Sequence, residues 1–273
     1  MDEVVIEAGR GAARYWRDLW KYRELFYFLA WRDFLVRYKQ TAIGVAWAVI
    51  RPLLTMLVFT VLFGRLARLP SSGSAPYSIL VLAGMLPWQF FSSALTEASN
   101  SLILNPNLIS KIYFPRLVVP ASSVLTSLAD LLISFGLLAV TMGWFQYWPD
   151  WRIVFLPAFL AVAFAASTGC GVWLCALNVE YRDFRYVVPF IVQFGLYVSP
   201  VGFSSAVVPE RWRLLYSVNP MVGVIDGFRW TLLRGDSHLW WPGMVVSLAC
   251  TAMLCASGVW YFRNVERTFA DVI

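Results

Sequence analysis

Long apolar runs separated by short polar segments make up the chain from residue 43 onward. A helix needs about 20 apolar residues to cross the hydrocarbon core of a bilayer. On that measure the pattern predicts six membrane-spanning helices, at about 43–64, 77–99, 117–142, 153–177, 186–203 and 241–262. Several of these runs contain proline, which membrane helices tolerate as kinks. The expected fold class is therefore an all-α integral membrane protein.

Residues 1–42, ahead of the first run, mix aromatic and basic side chains, as at Trp20-Lys21 and Trp31-Arg32. Such a mixture is typical of an amphipathic helix in the membrane interface, with its rings at the headgroups and its cations toward anionic lipid. The alternative is an ordinary solvated arm. The number of rings favours the interfacial helix, because so many would be costly to leave in water.

A polar segment at residues 100–120 separates the second and third runs. Asn105 followed by Pro106 is typical of a helix start, with a capping side chain and a proline where a missing N–H costs nothing. The helix should end before Phe114, because Pro115 pushes the preceding residue away from helical geometry. A helix of two turns is too short to be stable alone, so neighbouring elements must hold it.

This short helix is predicted to bury one stripe and to present another face. The apolar stripe is expected to contain Leu104, Leu108 and Ile112. The candidate contact residues of the segment are Asn105, Asn107, Ser110, Lys111 and Arg116. A second short and highly charged turn lies between the fourth and fifth runs and adds Glu180, Arg182 and Asp183. The two loops are either solvated connectors or a docking surface for a partner.

The distribution of Lys and Arg predicts the orientation. If both termini are cytoplasmic, fourteen of the 22 basic residues lie inside and seven lie outside. Positive charge is enriched on the cytoplasmic side of membrane proteins. The 100–116 and 178–187 segments are then cytoplasmic loops, and residues 263–273 form a cytoplasmic tail.

Residues 204–240, between the last two runs, are long for a connector and contain a second helix-start signal at Asn219-Pro220. Gly235 is suited to end that helix. A helix that is too short to span but has an apolar face predicts re-entrant or interfacial structure, the alternative being a loosely attached outer cap. We expect this segment to close the outer end of a channel, through Trp212, Tyr216, Asn219, Phe228 and Arg229.

Three ionisable residues are placed by hydropathy in or near the membrane: Arg51, Glu97 and Asp130. Such groups usually face a bundle interior, a water-filled cavity or one another. An arginine–carboxylate pair is one alternative, although the pattern does not indicate which carboxylate would reach Arg51. Asp130 lies mid-span, where a functional role and structural hydrogen bonding are equally compatible with the sequence.

Composition supports the membrane assignment and argues against a complete enzyme. The chain of 273 residues is 59% hydrophobic and only 14% charged, with a mean hydropathy of +0.64. Its one histidine cannot build a metal site or a histidine relay alone, and its four cysteines lie within apolar runs. It contains no G-x-x-x-x-G-K-[ST] phosphate loop. We therefore expect no catalytic residues, no metal, no cofactor and no nucleic-acid partner.

Three motifs resemble those of ABC-2 type permeases, in order and over nearly the whole chain. The first is Tyr38-x-x-Thr41-x-x-Gly44-x-x-Trp47-x-x-x-x-Pro52, at the entry to the first span. The second is Asn105-Pro106-x-Leu108-x-x-Lys111-x-x-Phe114-Pro115-Arg116, which is similar to the first coupling segment of that family. The third combines Asn219-Pro220 with Gly227-Phe228-Arg229. Arg51 departs from the resemblance, which leads one to expect an uncharged or amide side chain before Pro52.

The resemblance is strongest to exporters of polysaccharides and polyol phosphates. It implies a bacterial inner-membrane homodimer that binds two separate ATPase subunits, which hold ATP and Mg²⁺. It also implies coupling loops that transmit ATP-driven closure and a channel between the two copies for a lipid-linked glycan, O-antigen above all. The alternatives are an ABC-2 exporter of capsule, teichoic acid, a drug or a lipid, and a membrane-embedded transferase, for which no acid, base or metal cluster is visible.

Overall fold

Helices joined by turns and short loops, with no strands, make up the part of the chain that the computed structural model describes, which is residues 17, 19–39, 44–66, 74–111, 114–181 and 183–269. We number its α-helices in chain order. They are α1 (Arg23–Lys39), α2 (Gly44–Phe59), α3 (Tyr77–Asn100), α4 (Pro106–Lys111), α5 (Val118–Trp144), α6 (Leu156–Glu180), α7 (Phe184–Val198), α8 (Glu210–Tyr216), α9 (Pro220–Leu232) and α10 (Trp241–Val265). A π-helical stretch, Thr60–Leu66, extends α2, and 3₁₀ turns at Trp151–Phe155, Ser205–Val207 and Glu266–Thr268 connect or end other helices.

Five helical segments in the described part of the chain are long and apolar enough to cross a membrane. They are Ala46–Leu66, Tyr77–Asn100, Val118–Trp144, Trp151–Glu180 and Trp241–Thr268. They match five of the six predicted spans.

The predicted fifth span, 186–203, is wrong in its extent. Helix α7 has 15 residues and ends at Val198, so its length is about 22 Å. The hydrocarbon core of a bilayer is about 30 Å thick. The helix ends there because Ser199 precedes Pro200 and takes an extended backbone, with ψ at 151°.

Helix α3 is the centre of the bundle. Of the residues in its most apolar window 78% are buried, against 11% for the segment that contains α2. It packs against α5, α6 and α9, and small residues bring their backbones close. A Cβ atom on Gly171 of α6 would lie 2.7 Å from the Cβ of Ala98, so the two helices meet where neither has a larger side chain.

Small residues along α5 form part of its packed interface with neighbouring helices. The hydroxyl-bearing members Ser122, Ser123, Ser127 and Ser134 are buried along α5. Gly136 is the exception, because a Cβ atom there would meet nothing within 4 Å. Two backbones also approach closely between α6 and α10, where a Cβ on Gly258 would lie 2.5 Å from the carbonyl oxygen of Gly169.

The second predicted helix start is confirmed. The Asn219 side chain accepts a hydrogen bond of 3.0 Å from the backbone N–H of Met221, and Pro220 occupies the first position of α9. Past the end of the helix, Gly235 takes a φ of +77° and donates its N–H to the Trp230 carbonyl. Glycine suits this turn because a left-handed backbone costs it no Cβ clash.

Among the described residues, Arg229 of α9 is the largest side chain that is completely buried. Its guanidinium donates to three backbone carbonyl oxygens: Leu80 at 3.3 Å, Phe203 at 2.6 Å and Val201 at 2.7 Å. Two of these carbonyls lie in the turn after α7, where no helical partner is available. Arg229 therefore joins α9, α3 and that turn through hydrogen bonds that the backbone cannot supply itself.

Arg229→Met should lower the free energy of unfolding by about 3 kcal/mol, because three buried carbonyls lose their donor and the buried Asp226 loses a neighbouring cation. Thermal unfolding of detergent-purified protein, followed by size-exclusion fluorescence, measures the effect. The control is Arg211→Gln, at an exposed position of α8. An Arg229→Met protein as stable as this control would show that the three hydrogen bonds do not hold the outer segment.

Candidate functional site

The two loops predicted as docking surfaces meet at one end of the bundle. Both contribute to an apolar cluster that we call the base cluster, which also includes residues from α1 and α10. Its buried members are Leu29, Leu102, Ile109, Phe114, Leu117, Val118, Val119, Val172, Cys175, Ala176, Val179, Phe262 and Phe269. Neighbouring elements therefore hold the short α4, as its length requires.

The apolar stripe predicted for α4 is wrong in register. Ile109 is 5% exposed and is the residue that α4 inserts into the base cluster, whereas Leu104 is 74% exposed. The difference arises because the helix begins at Pro106, so Leu104 lies in the preceding turn and does not share the helical period. Leu108 packs at the edge of the cluster, and Ile112 lies outside the described residues.

Asn105 connects α4 to α1. Its backbone carbonyl accepts from the Leu108 N–H, which starts the helix. Its side chain binds outside α4: Oδ1 accepts from Nη2 of Arg32 at 3.0 Å, and Nδ2 donates to the Ser101 carbonyl at 2.8 Å. The interfacial helix is thus hydrogen-bonded to the loop segment.

Arg116 holds the end of the same segment against the 3₁₀ turn that follows α10. Its backbone N–H donates to Oε1 of Glu266 at 3.0 Å, and its guanidinium donates to the Glu266 carbonyl. The guanidinium carbon also lies 6.0 Å from the ring centroid of Phe269, within reach of a cation–π interaction. The start of the C-terminal tail is therefore part of the loop platform.

The charged turn after α6 is attached to the first loop and to α10. Asn178 donates to the Ser99 carbonyl at 2.9 Å and to Oδ1 of Asn100 at 3.1 Å, and Oε2 of Glu180 accepts from the Tyr261 hydroxyl at 2.5 Å. The other predicted docking residues with described side chains, Asn107 and Asp183, are exposed. Arg182 and the side chains of Ser110 and Lys111 lie outside the described residues.

A polar cavity of about 860 Å³ lies between α1, α2, α3, α5 and α7. We call it the wall cavity. It is lined by hydroxyl, amide, charged and aromatic side chains together with apolar ones. The lining residues are Arg37, Tyr38, Trp47, Ala48, Arg51, Pro52, Leu54, Thr55, Leu86, Gln89, Phe90, Ser92, Ser93, Thr96, Glu97, Asp130, Leu131, Ser134 and Val192.

Arg37 forms ion pairs with both predicted intramembrane carboxylates. Its Nη1 lies 2.7 Å from Oδ2 of Asp130, and its Nη2 pairs with Oε1 of Glu97. The Tyr38 hydroxyl donates to Asp130, and the Ser127 hydroxyl donates to Glu97 at 3.3 Å. Partial burial raises the pKa of Tyr38, and the hydrogen bond to Asp130 raises it further.

The alternative in which Arg51 pairs with one of these carboxylates is therefore wrong. Arg51, Glu97 and Asp130, the three predicted intramembrane residues, all line one cavity. Both carboxylates form their ion pairs with Arg37. The sequence analysis did not place Arg37 or Tyr38 at this site: basic residues of the 1–42 segment were interpreted as lipid contacts, and Tyr38 appeared only as the first residue of an ABC-2 motif. A signal was present in α3, where the polar residues Gln89, Ser93 and Glu97 recur every four positions.

The five residues expected to form an outer gate have different environments in this structure. Phe228 is fully buried and its ring stacks on Phe135 at 6.3 Å between centroids, and Arg229 is the core residue described above. Trp212 is exposed, Tyr216 is partly buried, and Asn219 caps α9. None of the five lines the wall cavity. The gate stays a prediction.

An acid and a base share the buried interior beside that segment. Burial raises the pKa of Asp226 to about 6, opposed by a hydrogen bond from Ser205 and by the charges of Arg229 and Arg213. Burial lowers the pKa of Arg229 to about 10, opposed by the charge of Asp226. The charge of each group thus favours the charged form of the other.

A family profile described as "ABC-2 type transporter" matches residues 24–233, which include α1 to α9 and both loop segments. The chain belongs to the ABC-2 type transporter family. Helix α1 lies within the match, so the element that supplies Arg32 and Arg37 is part of the family fold.

Named relatives of this ABC-2 protein are similar over almost their full length. The O-antigen export system permease protein RfbA of Myxococcus xanthus is 28% identical over 94% of this chain and 98% of its own. An RfbA of Klebsiella pneumoniae is 25% identical over 89% and 92%. The capsule polysaccharide export inner-membrane protein CtrC of Neisseria meningitidis serogroup A is 24% identical over 85% and 87%.

Arg37→Met should destabilise the protein by about 2 kcal/mol, because Glu97 and Asp130 lose a shared cation in a partly dry cavity. The triple variant Arg37→Met, Glu97→Gln, Asp130→Asn should recover part of that loss, since no uncompensated charge remains. Thermal unfolding of the three proteins in detergent measures both effects. If the triple variant is no more stable than Arg37→Met, the charges of the cluster do not act together.

Proposed function

We propose that this chain is the permease subunit of an ATP-driven exporter that moves a lipid-linked polysaccharide, most closely an O-antigen, across the bacterial inner membrane. One observation carries the proposal. An ABC-2 bundle, similar over nearly its whole length to named O-antigen export permeases, contains a polar cavity of about 860 Å³ with aromatic residues in its walls. Capsule polysaccharide is the second candidate, favoured by the similarity to CtrC.

The chemistry of the wall cavity supports a glycan as cargo. A sugar crossing a bilayer needs partners for its hydroxyls, each of which costs several kcal/mol when stripped of hydrogen bonds. Gln89 offers a donor and an acceptor, and the Ser92 and Thr96 hydroxyls, which donate to carbonyls within α3, offer acceptor oxygens. Trp47 and Phe90 offer apolar rings for sugar faces. A drug or a lipid would need fewer polar partners, so this lining favours a polysaccharide over those alternatives.

A homodimer is proposed from the surfaces that the single chain leaves uncovered. The segment Ala46–Leu66 is only 11% buried in its most apolar window. Helix α7 exposes Phe190, Phe194 and Tyr197, and the first two rings stack at 5.8 Å. Both helices border the wall cavity, so a second copy that packs here would enclose it as a channel.

Both termini are proposed to be cytoplasmic, which places the base cluster at the cytoplasmic end. This topology requires α7 to complete a sixth crossing despite its length, with the turn after Val198 and the re-entrant helices α8 and α9 completing the outer leaflet. The burial of α9 on nearly every side supports this arrangement, because its apolar residues then lie within protein.

Two ATPase subunits are proposed to dock on the loop platform. The sequence has no phosphate loop of its own, and the platform offers the exposed Asn107 and Asp183 around a rigid apolar base. A partner that moves α4 also moves α1, because Asn105 and Arg32 are hydrogen-bonded. Helix α1 therefore connects the proposed docking site to the wall of the cavity.

Cysteine labelling tests the topology. In a variant without the four native cysteines, Ala206→Cys should react with an impermeant thiol reagent in intact cells, and Asn107→Cys should react only after permeabilisation. Both native side chains are exposed, so access depends on the side of the membrane. Labelling of Asn107→Cys in intact cells would show that this loop is extracytoplasmic, which would contradict the proposed topology and the proposed cytoplasmic docking surface.

Charge reversal tests the partner and the cargo together. In cells that lack the native gene, Lys111→Glu and Asp183→Lys should each reduce co-purification of the partner ATPase with the permease. Both variants should also lower surface polysaccharide at least several-fold, while lipid-linked glycan accumulates inside the cells. Arg211→Glu, in the outer segment, is the matched control and should behave like the native chain. Normal surface polysaccharide in cells without any permease would contradict the proposed function.

A further inference from the structure

Arg51 is a cation on the wall of the cavity that has no partner within the part of the chain that the structure describes. It lies on α2 one turn after Trp47 and one turn before Thr55, and all three line the wall cavity. The side chain is exposed to that space. Among the described residues it forms neither a hydrogen bond nor an ion pair, and the Thr55 hydroxyl binds only its backbone carbonyl, at 2.9 Å.

The acids that could neutralise Arg51 are occupied. Glu97 and Asp130 are the carboxylates that line the cavity. Arg37 pairs with both, and each accepts a further hydrogen bond, from Ser127 and Tyr38 respectively. Arg37, Tyr38 and Ser127 thus supply ion-pair and hydrogen-bond partners to both carboxylates. Neither carboxylate pairs with Arg51 among the described residues.

The local structure keeps Arg51 turned to the cavity. The next residue, Pro52, cannot donate an N–H to the Ala48 carbonyl, and the Ser134 hydroxyl of α5 lies 3.5 Å from that oxygen. Pro52 itself is buried. With Pro52 packed inward and Ala48 close to α5, the adjacent Arg51 faces the open space.

We propose that Arg51 binds an anionic group of the cargo, a carboxylate or a phosphate, as it passes through the cavity. A guanidinium presents a planar fork of donors that matches carboxylate and phosphate oxygens, and it stays charged at every relevant pH. Neutral sugar hydroxyls already have partners in Gln89, Ser92 and Thr96. Arg51 therefore adds selectivity for acidic cargo, an inference that rests on the proposed export of a glycan.

The anionic group has two sources, an acidic sugar or the phosphate that links the glycan to its lipid. Four probes separate them: hexagalacturonate, the neutral maltohexaose, undecaprenyl phosphate and the uncharged undecaprenol. The full chain in phosphatidylcholine nanodiscs should bind at least one acidic probe at least ten-fold more tightly than its neutral counterpart, as measured by tryptophan quenching. The acidic probe that shows the preference identifies the source.

Arg51→Gln should abolish that preference, Arg51→Lys should keep part of it, and Arg65→Gln should leave it unchanged. Arg65 is a matched control because it is an exposed arginine of the same membrane segment that does not line the cavity. Preference retained in Arg51→Gln, or absent from the native chain for both acidic probes, overturns the inference. If polysaccharide export by Arg51→Gln is then normal, the proposed function stands.

Chemical modification of one purified protein tests the charge at position 51 without differences in folding between variants. Arg51→Cys, in the background without native cysteines, is purified once and divided into three samples. Aminoethyl methanethiosulfonate restores a positive charge at this position, sulfonatoethyl methanethiosulfonate adds a negative one, and the third sample is left unmodified. We expect acidic-probe binding to recover several-fold only with the aminoethyl group. Equal binding by all three samples, with each still monodisperse, overturns the inference.

Discussion

The ion pairs of Arg37 are the interaction on which the rest of the arrangement depends. One guanidinium joins α1 to Glu97 of α3 and to Asp130 of α5. Two carboxylates that lie beside one guanidinium would repel each other without that cation, and burying their charges would cost free energy. Because Arg37 satisfies both, α3 and α5 can place polar groups side by side and border a cavity. Helix α1, otherwise an interfacial helix with exposed rings, becomes one wall of it.

The same helix is fixed at a second point by the hydrogen bond from Arg32 to Asn105. Arg32 and Arg37 are less than two turns apart, so the loop segment and the cavity wall are attached to one short rigid element. Apolar packing alone would allow sliding, since the base cluster contacts are non-directional. Directional bonds at both points instead relate the position of α4 to that of Glu97 and Asp130.

The sequence predicted what depends on local chemistry. Hydropathy located five segments of spanning length, and the start of α9 at Asn219-Pro220 follows from side-chain capping within one turn. The sequence did not predict features that depend on contacts between residues far apart in the chain. The Arg37 pairs join residues 60 and 93 positions apart. Helix α7 was overextended because apolar composition continues through Pro200 while the backbone does not.

The segment that contains α2 is the least buried of the five candidate membrane spans, and the central position of α3 explains why. The bundle core already surrounds α3 with α5, α6 and α9, so α2 touches the core along only a narrow stripe, and its Pro52 ring is buried there. Its other faces, with Leu54, Leu57 and Val58 exposed, need lipid or protein to cover them. Arg51 cannot turn toward lipid without a large cost. The charge therefore fixes which face of α2 meets water, and so which side of the chain holds the polar path.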